Sequence, residues 1–241
     1  MKLPDILILA GGKAKRLGKL CFNKPKSLIN FYDKPFLFYQ LKLLKKKKFN
    51  KVIICTGYLS KQIEQYINIS RNDFNLDISF SNDGKTELGT GGAIKKVLSL
   101  LSRNFFVIFG DSYLDINYLK VYKKFLSSKK LGLMTVYKNN NQHDLTGEGL
   151  SDVELCKGKI IKYNKKKRNS RMKYINYGIS IFNKSLFKNL ILKKKFDVQV
   201  IYQQLIKKKS LLSYEIKNNI YEIGSVKGVN LTKKLFKRTY K

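Results

Sequence analysis

An apolar run, Ile6-Leu7-Ile8-Leu9-Ala10, ends in Gly11-Gly12, and cations follow at Lys13, Lys15, Arg16 and Lys24. Glycines let backbone N–H groups approach a ligand with no Cβ in the way, and the fixed positive charge around them selects an anion. A polyphosphate suits such a loop. The second glycine of a GxGxxG turn and the Gly-Lys-Ser/Thr of a P-loop are both missing, so neither of those motifs describes it. Asp111, in Phe109-Gly110-Asp111-Ser112, follows the most apolar strand-like run of the chain. A carboxylate there, beside a glycine that admits close approach, is placed to hold Mg²⁺ against phosphates. The plain alternative is a helix N-cap, for which Asp115 is also available.

Two further groups carry weaker signals. Glu222, in Tyr221-Glu222-Ile223-Gly224-Ser225, is either a second metal ligand or an edge-strand carboxylate facing water. Glu87-Leu88-Gly89-Thr90-Gly91-Gly92-Ala93 joins a strand to a helix. Its glycines would let a base or ribose press on the backbone, or they serve helix-start packing. The only histidine is His143, in a polar stretch read as a loop, so histidine-based nucleophilic or acid–base catalysis is not expected. A phosphate nucleophile needs no such base, because its second pKa is near ~6 and it is already ionised. Attack by a sugar phosphate on a nucleotide α-phosphate needs charge neutralisation and alignment, which lysines, amides and a metal can supply.

Strand and helix patterns alternate around these residues. Strand-like runs fall at 5–10, 51–56, 76–81, 104–109 and 131–137, with helical patterns at 35–48, 59–67 and 91–101. The first of these helices is expected to begin at Pro35, a favoured first helical position. Such alternation predicts an α/β fold with a mostly parallel central sheet covered by helices on both faces. Ligands in such sheets bind beyond the carboxyl ends of the strands, where Gly11 and Asp111 both lie. After residue 150 the rhythm changes to short strands at 151–156, 159–163, 174–182, 211–216 and 219–223, with helices near 184–191, 197–208 and 226–236. Residues 1–241 read as one domain, with a first half to residue 137 and a second from 151.

The chain has 241 residues and a net charge of +34. Of its 50 basic residues 44 are Lys and six are Arg, and the lysine runs are dispersed rather than gathered in one stripe. Readers of nucleic-acid bases favour Arg, so compositional bias explains the charge better than specific nucleic-acid binding. No apolar stretch is long enough to span a membrane, so no membrane partner is expected. Cys21, Cys55 and Cys156 are scattered without CxxC spacing, which fits a reducing cytoplasm and small buried hydrophobes. A lowered thiol pKa at Cys21, in the basic region, is the sharper alternative.

Taken in order, Gly11-Gly12-x-Ala14-x-Arg16-Leu17, Lys24-Pro25-Lys26-Ser27-Leu28, Leu88-Gly89-Thr90-Gly91-Gly92-Ala93, Gly110-Asp111-Ser112, Asn176-Tyr177-Gly178 and Tyr221-Glu222-Ile223-Gly224-Ser225 resemble the sugar-1-phosphate nucleotidyltransferases from about residue 5 to 236. The form of the Gly89 run looks most like the branch holding heptose-1-phosphate guanylyltransferases and muramate-1-phosphate uridylyltransferases. The resemblance implies a Rossmann-like nucleotidyltransferase fold and a Mg²⁺-dependent enzyme. It would make a nucleotide-sugar and pyrophosphate from a nucleoside triphosphate and a sugar 1-phosphate, for surface polysaccharide or cell-wall synthesis. It assigns Arg16 and Lys24 to the triphosphate, with Asp111 as the third catalytic residue. Ala10, Gly11, Gly12, Lys13, Gly89, Thr90 and Gly91 would bind the nucleotide. Asp111 and Glu222 would bind the metal, and Lys165, Asn176 and Gly178 the sugar phosphate. The motifs leave the sugar, the base and any homo-oligomer open.

The chain departs from that pattern at Lys15, where the family usually has Thr, and at Asn164, where an acid usually precedes the lysine. Glu222 stands where Asp is commoner, and 139–152 is unlike the family's short polar segment. A cytidylyltransferase acting on a phosphorylated amino alcohol shares the motif order. A nucleotide-binding relative without turnover would share it too.

Overall fold

The computed structural model describes residues 1–12, 17–18, 21–139, 151–189 and 193–240. In chain order the elements are β1 (Ile6–Leu9), β2 (Asn30–Phe31), β3 (Lys34–Pro35), α1 (Phe36–Lys46), β4 (Lys51–Thr56), α2 (Ser60–Ser70), β5 (Asp77–Asn82), α3 (Gly89–Lys96), β6 (Asn104–Phe109), β7 (Ser112–Tyr113), α4 (Tyr118–Ser127), β8 (Gly132–Lys138), β9 (Val153–Cys156), β10 (Lys159–Tyr163), β11 (Tyr174–Asn183), α5 (Val198–Lys207), β12 (Leu211–Glu215), β13 (Tyr221–Glu222) and α6 (Val226–Tyr240).

Nine strands form one sheet, β10-β9-β11-β6-β1-β4-β5, with β8 joining β11 to β12. The pairs β1/β4, β1/β6, β4/β5 and β8/β12 are parallel, whereas β11 runs antiparallel to β6, β8 and β9. Followed through these pairs, all the strands but β10 and β11 point the same way. The sheet is therefore mostly parallel, and β11 is the seam between its two halves.

Burial on both faces explains why β1 and β4 are continuous apolar runs rather than alternating ones. Ile6 and Ile8 pack with Leu37 and Leu41 of α1, Ile63 of α2 and Val121 of α4. Leu7, between them, faces the other layer, with Ile94 of α3 and Ile201 and Tyr202 of α5. A smaller cluster of Phe31, Phe36, Tyr39, Tyr113, Ile223 and Phe236 seats α6 against α1 and the β7–β13 pair.

Several boundaries differ from the sequence reading. Pro35 is the N-cap of α1 rather than its first residue, because it is extended (φ −71°, ψ 158°) and pairs with Asn30. The helix expected over 91–101 starts earlier, at Gly89, and breaks at Lys96, with a 3-10 turn over Leu98–Leu100. The helix expected near 184–191 is a 3-10 turn, Lys184–Asn189, as far as it is described. The last helix runs beyond 236 to Tyr240, held by Tyr113 and Tyr240 hydroxyls 2.8 Å apart and by rings of Tyr39 and Tyr240 with centroids 4.9 Å apart.

Candidate active site

From β1 the chain passes to β4 on one side, whereas β6 lies on the other. The C-terminal ends of β1 and β6 therefore flank the point where strand order reverses, which is where open α/β sheets bind ligands. The two ends touch. The Ala10 amide donates to the Cys55 carbonyl (2.8 Å) and the Gly110 amide to the Leu9 carbonyl (2.9 Å). A Cβ on Gly110 would lie 2.9 Å from Ala10 Cβ, so the residue before Asp111 can be little other than glycine. Gln40, a polar residue on the buried face of α1, donates to the carbonyls of Phe109 (3.0 Å) and Ser112 (2.8 Å) and so holds the turn that carries Asp111.

A cavity of about 500 Å³ opens at this junction. One wall is Leu9-Ala10-Gly11-Gly12 with Lys26 and Ser27; Phe109, Gly110 and Asp111 lie beside it, and the far wall brings Asp83, Glu87, Gly89 and Thr90. Asp111 follows β6 and Asp83 follows β5, three strand positions away, so the strand ends that carry them stand about 14 Å apart at ordinary strand spacing.

At the Asp111 end, Lys26 Nζ is 2.8 Å from Asp111 Oδ2. The side chains are 18% and 28% exposed, so the pair is open to a ligand from the cavity. Lys26 begins a 3-10 turn, Lys26–Leu28, after Pro25. Asp111 is not a helix cap: its carbonyl accepts the Ile223 amide (2.8 Å), and the helix that follows is capped by Asn117. Nor does Asp115 cap it; Asp115 pairs with Lys47 at 2.5 Å.

Pairing of Ser112 with Glu222 brings Glu222 next to Asp111. The half-buried Glu222 accepts from the Ser225 hydroxyl (2.7 Å) and from the Gly224 amide, ahead of α6. A Cβ on Gly228 would fall 2.0 Å from Glu222 Oε1, so that glycine makes room for the carboxylate. Burial pushes the Glu222 pKa up; the Ser225 and Gly224 hydrogen bonds and the Lys26 charge oppose this, while the Asp111 charge adds to it. Adjoining carboxylates are the donor type of a hard cation such as Mg²⁺, which takes one or two of them and completes its shell with phosphate oxygens and water. Among the described residues no group of three or more potential metal ligands occurs.

The glycine run of α3 divides its work. Gly89 (φ +72°) and Thr90 line the cavity. Gly91 and Gly92 instead donate to the Phe196 carbonyl (2.9 and 3.2 Å), and a Cβ on Gly91 would lie 2.2 Å from the Phe196 ring. Thr90 Oγ1 accepts the Val198 amide and donates to Asp197, the cap of α5, which locks α5 onto α3. Helix-start packing thus describes Gly91 and Gly92.

On the β11 side, Gly178 (φ +100°) sits where the β8–β11 register breaks, and its Cβ position is 3.5 Å from both the Phe109 ring and Ser112 Oγ. Asn176 Oδ1 accepts the Gly178 amide (3.0 Å), and Lys165 Nζ stands 5.5 Å from the Phe109 ring centroid. Since Phe109 lines the cavity, these three residues adjoin its Asp111 end.

Lys13 and Arg16 lie outside the described residues, as do His143 and Lys15. Lys24 is exposed and does not line the cavity; Lys26, two residues on, stands at Asp111. The sequence reading also missed Gln40 and Asp83, and it gave Glu87, the first residue of the glycine run, no role of its own. Cys21 is no activated thiol, because burial raises its pKa more than Lys26 lowers it.

A glycine-walled cavity bearing a lysine and an aspartate at the switch point of an α/β sheet is the place where nucleotide-binding proteins of this architecture hold their ligand. Residues 6–227 match the family model described as Nucleotidyl transferase, and the chain belongs to that family, among the sugar-1-phosphate nucleotidyltransferases. It is 30% identical over 203 residues to the D-glycero-alpha-D-manno-heptose 1-phosphate guanylyltransferase of Campylobacter jejuni, covering 84% of this chain and 86% of that protein. It is 27% identical over 224 residues to the mannose-1-phosphate guanylyltransferase catalytic subunit beta of Drosophila melanogaster, covering 92% of this chain but 59% of that protein's length. The crystal structure of HddC from Yersinia pseudotuberculosis complexed with GMP-PN matches with a TM-score of 0.78 at 22% identity, over 97% of this chain and 100% of that one.

Proposed function

We propose that the protein joins the nucleotidyl group of GTP to a manno-configured sugar 1-phosphate and releases pyrophosphate. The observation that carries this reading is the Lys26–Asp111 pair beside the glycine wall of the cavity. The sugar phosphate arrives already ionised, so no general base is required. Lys26 neutralises charge on the phosphate under attack, and the amides of Gly11 and Gly12 hold the phosphate chain. Asp111 and Glu222 would hold Mg²⁺, and the ion would supply charge neutralisation at the phosphates. Lys165, beside Phe109, meets the phosphate of the sugar, and Asn176 and Gly178 border the sugar. The family resemblance adds Arg16 and Lys13 as contacts to the nucleotide.

Guanine is supported by the named activity of the relatives and by Asp83 and Glu87 on the far wall. Guanine presents adjacent N1–H and N2–H donors on its pairing edge, which a carboxylate accepts; adenine, uracil and cytosine offer no such pair of donors. Supply of GTP and the free cysteines favour a cytoplasmic site of action. Among the described residues no helix is long and apolar enough to cross a membrane.

The test is to incubate the protein with each of the four NTPs, Mg²⁺, and either mannose 1-phosphate or D-glycero-α-D-manno-heptose 1-phosphate, and to follow pyrophosphate. Release with GTP ahead of the other bases is expected. Silence with every pair would overturn the reading.

A further inference from the structure

Asp152 is a buried carboxylate that the sites above do not use; it is 6% exposed. Its backbone is fixed on both sides, with its amide donating to the Tyr174 carbonyl (3.0 Å) and its carbonyl accepting the Asn164 amide (2.9 Å). Asp152 therefore sits between the end of β10 and the start of β11, where Lys165 and Asn176 also lie. Its Oδ1 accepts the Asn176 amide (2.9 Å). The charges of Lys165 and Arg168 act on it, yet among the described residues neither forms an ion pair with it. Arg168 Nε is enclosed and has no hydrogen-bond partner among the described residues.

An enclosed carboxylate with one amide partner, near an enclosed guanidinium nitrogen with none, is costly to maintain unless a ligand completes both. A carboxylate has about four acceptor sites, so Oδ1 and Oδ2 retain capacity beyond the Asn176 bond. Asn164 does not compete for this role, because its Oδ1 accepts the amides of Lys166 (2.9 Å) and Lys167 (2.8 Å) and closes its own turn. Asn176, whose amide bonds Asp152, also donates from its side chain to the Tyr163 hydroxyl (3.4 Å).

We propose that Asp152 and Arg168 read the hydroxyls of the sugar. The Asp152 carboxylate accepts from one hydroxyl and Arg168 Nε donates to a neighbouring oxygen, while Lys165 meets the phosphate. This pair sets which sugar the enzyme takes, and it rests on the transfer reaction proposed above.

Asp152→Asn tests it, because the amide oxygen can still accept from Asn176 while the charge is lost. The KM for mannose 1-phosphate or the heptose 1-phosphate is expected to rise roughly tenfold or more, with the KM for GTP unchanged. Wild-type enzyme should also discriminate against one monodeoxy analogue of mannose 1-phosphate by roughly tenfold or more, and Asp152→Asn should lose that preference. Arg168→Lys, which lacks the Nε donor, should raise the same KM and serves if Asp152→Asn fails to fold. An unchanged sugar KM, a parallel rise in both KM values, or retained discrimination by the variants would overturn the proposal. Wild-type enzyme that releases no pyrophosphate with any sugar 1-phosphate would instead overturn the transfer reading, and this one with it.

Discussion

The two ends of the cavity are both acidic, but their carboxylates are held in opposite ways. At the β6 end Asp111 is met by a cation, Lys26, at 2.8 Å, with Glu222 beside it on the β7–β13 pair. At the β5 end Asp83 accepts a backbone amide, from Leu88 (3.1 Å), and burial pushes its pKa up; the Leu88 bond and Lys96 oppose that, and Glu87 adds to it. A carboxylate paired with a lysine can exchange that partner for a metal and phosphates. Among the described residues Asp83 has no such cation partner to give up, and its free acceptor capacity suits donors on a docked base. In the function proposed above, the chemistry falls to the Asp111 end and the choice of base to the Asp83 end.

Changing the Asp111 end should cost the most. Asp111→Ala is expected to lower kcat by roughly 10²–10³, on the scale of a lost charge-stabilising group, with little change in Tm. A wild-type rate would remove Asp111 from the reaction. At the other end, Glu87→Gln or Asp83→Asn should act on selection instead. The preference for GTP over ATP in kcat/KM is expected to fall about tenfold, while kcat at saturating GTP holds. Equal losses with both nucleotides would erase the distinction between the ends.

The packing behind Gly89 and Thr90 gives a third test. Gly91→Ala drives a Cβ toward the Phe196 ring and should lower stability by about 1–3 kcal/mol, measured by denaturant unfolding. The smallest effect concerns pH. Burial raises the Glu222 pKa above its ordinary 4.5, so the folded protein binds that proton more tightly than the unfolded chain does. That stabilising contribution is complete below pH 4.5 and is lost as pH rises through the folded pKa. Relative to wild type, Glu222→Gln should therefore gain in Tm between pH 4 and pH 7, and a difference that stays constant would contradict the shift.

Much of the frame was legible because both faces of β1, β4 and β6 are buried, which writes apolar runs into the sequence. The ends of those runs marked Ala10, Gly11 and Asp111 before any geometry was known. Lys24 and Lys26 show where reading along the chain fails. They flank Pro25 with identical chemistry, and only the 3-10 turn that starts at Lys26 decides which ammonium meets Asp111. Asp83 carries no local signal, since its relevance depends on β5 lying beside β4, and Glu87 is marked only by the glycine run that follows it. Gly91 and Gly92 look like a ligand loop because glycine serves close approach by a protein segment as well as by a nucleotide. Gln40 left the one readable trace among the missed residues, a polar side chain on the apolar face of α1.

Pyrophosphate release by Lys26→Ala and Lys24→Ala, each against wild type with GTP, Mg²⁺ and a manno-configured sugar 1-phosphate, tests the central assignment most directly. The Lys26–Asp111 geometry predicts a loss of roughly 10²–10³ for Lys26→Ala and a far smaller one for Lys24→Ala. Wild-type turnover by Lys26→Ala would contradict it.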